Sequence, residues 1–144
     1  MTDQPYILII GQPAAFVLTH GRCDLHAIKS FHRFEVAFTE DDFQAKAVID
    51  TEIGPLLPFR DALAALNRDL TGEALLKTYE GDLTLKAEVN KRGHVFWAGT
   101  MGFGFSGGSR GAQLHFWIEH DQTSLPLMLE QLNAIIEDAE SEEQ

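Results

Sequence analysis

The sequence of 144 residues is poor in cysteine, in basic residues and in long apolar runs. Its one cysteine, Cys23, cannot form a disulfide within the chain, which fits a reducing compartment. No stretch approaches the roughly 18 consecutive apolar residues that span a bilayer. The opening residues, MTDQPYILII, lack the basic segment and long apolar run of a signal peptide. We therefore expect a cytoplasmic protein with no membrane partner.

Basic residues are outnumbered by acidic ones, 11 to 22, which gives a formal net charge of -11. Residues 137–144 contribute several of these acids, and the remainder of the chain is still acidic. An acidic chain repels a phosphate backbone, so we do not expect nucleic acid as a partner. Solubility alone explains such a charge, and a basic protein partner is also compatible with it.

A glycine-rich stretch, GFGFSGGSRG, contains the pattern G-x-G-x-x-G at Gly102, Gly104 and Gly107. A dinucleotide site needs a helix directly after these glycines, with its N-terminus facing the pyrophosphate. The following residues, GAQLHFWIEH, instead alternate apolar and polar side chains as a strand does. The pattern therefore predicts the tip of a hairpin, and we expect no nucleotide or other cofactor.

Alternation of apolar and polar residues predicts most of the secondary structure. Residues 73–79 are expected to form only a short turn or helix. The predicted strands cover residues 6–10, 15–19, 33–38, 43–50, 83–89, 94–105 and 111–119. Within the second hairpin, Phe43, Ala45, Ala47 and Ile49 are expected to share one buried face with the preceding strand.

Two segments change to helical periodicity. Phe59, Leu63 and Leu66 begin a stripe that predicts a helix over about 57–70. A continuous apolar face predicts a second helix over about 123–138, capped by Asp121 or Thr123. We predict a single α+β domain, 1–144, in which a mostly antiparallel sheet of six to eight strands packs with these two helices. The acidic tail, 139–144, is expected to fray, and no internal repeat is visible.

Histidine and cysteine cluster early in the chain, at His20, Cys23, His26 and His32. Zinc binds imidazole and thiolate, but a structural site draws two closely spaced ligand pairs from distant segments, and no second pair exists here. Cys23 has no oriented base or oxyanion donor that the sequence identifies. We therefore expect neither a metal site nor a catalytic residue, and the chain is not predicted to be an enzyme.

Three consecutive acids, Glu40, Asp41 and Asp42, connect the strands of the second hairpin. They lack the ligand spacing of a calcium loop. The simplest interpretation is a solvated hairpin tip. The alternative is an acidic projection that inserts into a basic pocket of a protein partner.

Aromatic residues occupy both faces of the last predicted hairpin. Phe96 and Trp97 lie on one strand, and Phe116 and Trp117 on the other. One face must belong to the core, and we expect a helix to cover the second. Exposure of that second face would instead indicate a protein interface.

The strand predicted over 94–105 is interrupted by glycines, which in strands mark curvature or the close approach of another backbone. Such a strand can leave a shallow groove beside aromatic side chains. This supports an alternative function, the binding of a small ligand or peptide. The residues that would line this groove are Phe96, Trp97, Phe103 and Trp117.

From Gly81 onward the order of segments is strand (DLTLKAEV), strand (GHVFWAGTM), strand (LHFWIEH) and then a helix opened by DQTSL. Over residues 81–136 this order resembles the WapI-type bacterial immunity proteins, and the wider layout resembles them over 31–138. The resemblance implies a cytoplasmic, non-catalytic protein that binds and caps a toxin. It implies no catalytic residue, and we expect Asp121, Gln122 and Thr123 to cap the helix. An acidic surface would suit a basic toxin domain.

Overall fold

The computed structural model describes residues 6–11, 15–21, 31–102 and 111–142. Within these residues the strands are β1 (Tyr6–Ile10), β2 (Phe16–Gly21), β3 (Phe31–Glu40), β4 (Phe43–Glu52), β5 (Glu73–Lys77), β6 (Leu83–Val89), β7 (His94–Met101) and β8 (Leu114–Asp121). The α-helices are α1 (Leu56–Asp69) and α2 (Leu125–Glu142), and a short 3₁₀ turn, Gln122–Ser124, precedes α2. The predicted α+β fold, with six to eight mostly antiparallel strands and two main helices, is confirmed, and the described residues form eight strands.

The strands form two sheets of four, in the orders β1-β2-β3-β4 and β5-β6-β7-β8. Every neighbouring pair is antiparallel. A helix follows each sheet in the chain, so the element order of the first half repeats in the second. The sequence shows no such repeat, because alternation and helical stripes fix the type of each element without fixing the identity of its residues.

Helix α1 forms as its apolar stripe predicts. Leu56, Phe59, Leu63 and Leu66 are buried on one face. Pro55 occupies the N-cap position, where its missing N–H costs little. The helix ends at Asp69, and the C-cap residue Leu70 has a left-handed backbone and donates its N–H to the Leu66 carbonyl.

The segment after α1 is a strand, β5, so the predicted turn or helix over 73–79 is wrong. Ala74 and Leu76 are buried while Glu73, Leu75 and Lys77 are exposed, which is period two over only five residues. Leu75 obscures the pattern because it is an apolar residue on the exposed side.

Each helix packs against the first strand of the other half, α1 on β5 and α2 on β1. The contact of α2 includes a hydrogen bond from the Ile9 N–H to Gln131 Oε1 at 3.0 Å. The helices also pack against each other. The core therefore lies between the inner faces of the two sheets and the two helices, and both helices shield a strand edge.

Helix α2 begins as predicted from its capping residues. The Asp121 carboxylate accepts a hydrogen bond from the Thr123 N–H at 2.9 Å, which caps the 3₁₀ turn that leads into the helix. The helix continues to Glu142, beyond the predicted end at residue 138, and Ala139 is buried. In the described part of the chain, no helix combines the length and apolarity needed to cross a lipid bilayer.

Candidate functional site: an acidic and aromatic groove

The β3–β4 hairpin carries the predicted acidic tip. Glu40 and Phe43 are the last pair in register, so Asp41 and Asp42 form a two-residue turn. Asp41 has a φ of 50°, a left-handed conformation that aspartate tolerates better than most residues. All three acids are exposed. Two ten-residue strands thus hold three carboxylates side by side at the end of a hairpin.

The tip faces the start of β8 across an open groove of about 730 Å³. Residues 40–43 line one wall and residues 114–117 the other, with Phe38 at the base. The structure therefore brings the predicted acids Glu40, Asp41 and Asp42 to the same surface as Trp117. We call this surface the acidic–aromatic groove.

Two exposed aromatic side chains flank the groove. Trp117 is 63% exposed and Phe43 is 57% exposed. The prediction that Phe43 shares the buried face of its hairpin is wrong, because the hairpin extends beyond the core at this end, whereas Ile49 further along β4 is buried. Its place directly after three acids is a signal that could have marked it. Exposed aromatics beside carboxylates suit a partner that offers both apolar and cationic groups.

Phe116 fixes the distance between the two walls. Its ring stacks on Phe16 at 5.4 Å and on Phe38 at 4.7 Å between centroids. These two rings belong to the first sheet, and Phe116 belongs to the second. These two ring contacts between the sheets therefore position both the acidic tip and Trp117.

The glycines of the predicted 94–105 strand serve this packing. A Cβ atom on Gly99 would lie 2.2 Å from the Phe116 ring, so a side chain there and the ring cannot coexist as they stand. Gly102 has a positive φ, and a Cβ atom there would lie 2.5 Å from the Ala112 carbonyl oxygen. The expected close approach of another backbone is thus confirmed at Gly102. The predicted strand after these glycines is also confirmed, as β8.

The aromatic residues of the last hairpin are divided between its two faces. Trp97 is fully buried, so it belongs to the core and does not line an open groove. Phe96 and Trp117 are exposed, so the expectation that a helix covers the outer face is wrong for the described residues. The helices pack mainly on β1, on β5 and on each other, so neither helix covers this face in the described part of the chain. Phe103 and Gly104 lie outside the described residues.

Trp97 is anchored by a buried histidine. Its indole N–H donates to Nε2 of His120 at 2.8 Å, and His120 Nδ1 lies 2.8 Å from the Asp121 carbonyl oxygen. The two contacts together require a neutral imidazole that carries its proton on Nδ1. Burial lowers the pKa of His120, which agrees with this assignment. The pair is structural, since it lies beneath the sheet and away from the groove.

The structure describes only part of the histidine and cysteine cluster found early in the sequence. His20 and His32 are buried, with His20 Nε2 and His32 Nδ1 3.4 Å apart. His20 Nδ1 also lies 3.0 Å from the Asp138 carboxylate, which joins β2 to α2 and which the sequence did not reveal. Cys23 and His26 lie outside the described residues. Among the residues that the structure describes, no cluster of His, Cys, Asp or Glu has the arrangement of a metal site.

A family model supplies the class of protein. The model of the Immunity protein WapI-like family matches residues 30–139, so the chain belongs to this family. The match includes β3, β4 and α1 of the first half as well as the segment from Gly81, and its bounds lie close to those of the wider resemblance in layout over 31–138. No curated protein matches the chain.

Two solved structures have a similar arrangement of elements. One is MRP1/MRP2 of Trypanosoma brucei, with a TM-score of 0.48, 7% identity, and coverage of 94% of this chain and 83% of that chain. The other is the plant transcriptional regulator PBF-2, with a TM-score of 0.49, 11% identity, and coverage of 94% and 81%. At these values the two structures carry no argument about what this chain does.

Proposed function

We propose that this chain is a non-catalytic immunity protein that binds and caps a basic toxin domain through the acidic–aromatic groove. Membership of the immunity family supports a protein-binding role. The observation that carries the proposal is the meeting of Glu40, Asp41 and Asp42 with Trp117 in one open groove. The overall charge of -11 favours a basic partner.

The groove has the two components of a specific interface. Trp117 and Phe43 offer apolar area that loses its water on contact, and aromatic side chains of this kind often anchor interfaces. The carboxylates at the rim attract a basic surface over a distance, which speeds association more than it increases affinity. Neither component requires a catalytic group.

The test begins with capture of a partner from the native host by the full chain, followed by its identification by mass spectrometry. The purified partner is then measured against a variant with Glu40→Gln, Asp41→Asn and Asp42→Asn. We expect the association rate to fall about tenfold and to lose most of its dependence on salt. Asparagine is chosen at position 41 because it also tolerates the left-handed backbone.

A matched control removes three acids elsewhere. Glu130, Glu137 and Glu140 are exposed on α2 and do not line the groove. Changing all three to glutamine alters the net charge equally but should reduce the association rate much less. Recovery of no partner, or equal losses in the two variants, would contradict the proposed site.

A further inference from the structure

The two sheets have four edge strands, and three of them are protected. Helix α2 packs on β1 and helix α1 packs on β5. The β4 edge carries an exposed lysine, Lys46, a common device against strand addition. The fourth edge, β8, has the sequence LHFWIEHD without lysine, arginine or proline, and it pairs with β7 alone among the described residues.

The register shows which backbone groups of β8 point outward. The Gly102 N–H donates to the Asp82 carbonyl, on the β6 side of β7. Since backbone groups alternate along a strand, those of Gly99 face β8, and those of its partner Phe116 face β7. The N–H and C=O groups of His115, Trp117 and Glu119 therefore point away from β7.

The groove runs along this edge. Four consecutive residues, 114–117, line it, although neighbours in a strand point to opposite faces. Lining by both faces places the opening beside the strand backbone. The acidic tip stands at this end of β8, and Glu119 and Asp121 lie further along the strand. Among the residues that the structure describes, those lining the groove include no lysine or arginine.

We propose that the free edge of β8 accepts an extended, basic segment of the partner as an added strand. This inference rests on the proposed function and specifies its mode of binding. Main-chain hydrogen bonds to His115 and Trp117 would supply affinity, as in other cases of strand addition. Lysine or arginine side chains of the segment would meet Glu40, Asp41 and Asp42 and stack on Trp117.

The test uses the full chain and a synthetic peptide of four Arg-Thr repeats. Bound peptide should protect the amide protons of His115, Trp117 and Glu119 from hydrogen exchange, as followed by NMR. Two further peptides carry N-methyl groups at every arginine or at every threonine, which removes donors without changing charge. The peptide whose methylated nitrogens face β8 should bind about tenfold more weakly, because its main-chain hydrogen bonds are lost.

Two variants of the protein test the same main-chain hydrogen bonds by changing β8 instead of the peptide. His115→Pro removes one outward N–H and leaves the ladder to β7 intact, which edge strands tolerate. It should bind the Arg-Thr peptide about tenfold more weakly than His115→Ala, which keeps that N–H. If His115→Pro does not fold, the methylated peptides still decide the question.

The outcomes separate the two proposals. Failure of the Arg-Thr peptide to bind, or equal binding of all three peptides with no amide protection, would overturn strand addition. The immunity function would survive that result if the neutralised tip still slows association with the captured partner. If the neutralised tip does not slow association but the partner protects the amides of β8, the proposed role of the acids is wrong and strand addition is supported.

Discussion

The two halves of the molecule, residues 6–69 and 73–142, share an element order. They differ in the connection between the last two strands of each sheet. In the first half, the last two strands are ten residues each and meet at the acidic turn Asp41-Asp42. In the second half, the last two are eight residues each, and the connection begins with Gly102. The groove lies where these unlike ends meet. The architecture thus repeats, and the candidate binding surface comes from the part that does not.

The contact between the halves is equally asymmetric. The first sheet contributes Phe16 and Phe38, and the second contributes Phe116 together with the space above Gly99. A strand position without a side chain is what allows one ring to fill the junction. Glycine weakens a strand interior, so the packing that shapes the groove comes with a locally weaker strand in the second half.

The largest effect should follow from Gly99→Ala. The new Cβ atom would lie 2.2 Å from the Phe116 ring, which cannot easily move because Phe16 and Phe38 stack on it. We expect the free energy of unfolding to fall by about 3 kcal/mol, at the upper end for overpacking. Urea denaturation followed by tryptophan fluorescence measures the change.

The matched control lies in the first half. A Cβ atom on Gly21, in β2, would have no heavy atom of the described residues within 4 Å, apart from those of its chain neighbours. Gly21→Ala should therefore leave stability nearly unchanged. Equal losses at the two glycines would mean that Gly99 is needed for its backbone and not for the ring above it.

Much of this fold was accessible from the sequence, because each element has its own short-range signal. Short apolar segments and alternation together predicted seven of the strands, and a helical stripe placed α1 within one residue of its observed bounds. The strand β5 was missed because it is only five residues long and exposes Leu75. Local patterns fail where a strand is short and its outward face is apolar.

The site was only partly accessible. The acids 40–42 were identified as a projecting tip, and Trp117 as a residue whose face decides its role. Their meeting could not be predicted, because it joins residues more than 70 positions apart through the packing of Phe116. The split between buried Trp97 and exposed Trp117 likewise depends on where the helices pack, which alternation does not specify.

A smaller effect should follow from Gln131→Ala, which tests whether each helix shields the other half's edge strand. The Gln131 side chain accepts the outward Ile9 N–H of β1 at 3.0 Å. Removing the acceptor should lower the free energy of unfolding by about 1 kcal/mol. Gln131→Glu keeps an acceptor and should lose less in urea denaturation. If both variants match the native chain, apolar packing alone covers this edge.

The smallest expected effect is on the pH dependence of stability, and it concerns His120, which we compare with His20 in the other half. His20, in the first half, lies against the Asp138 carboxylate, whereas His120, in the second, accepts a hydrogen bond from Trp97 and must be neutral to do so. Burial lowers the pKa of His120 in the folded state below the ordinary value of 6.5. Its contribution to stability is therefore complete above that value and is lost as the pH falls through the lowered pKa.

The variant His120→Gln isolates this contribution, because glutamine can still accept the Trp97 N–H and does not titrate. Urea midpoints are compared between about pH 7.5 and about pH 5.5, a window that includes the ordinary histidine pKa. The native chain should lose more stability than His120→Gln over this range, while effects of the other histidines cancel in the difference. Identical pH dependence would mean that His120 takes up a proton as readily in the folded chain as in the unfolded one. The hydrogen bond from Trp97 would then not hold His120 neutral.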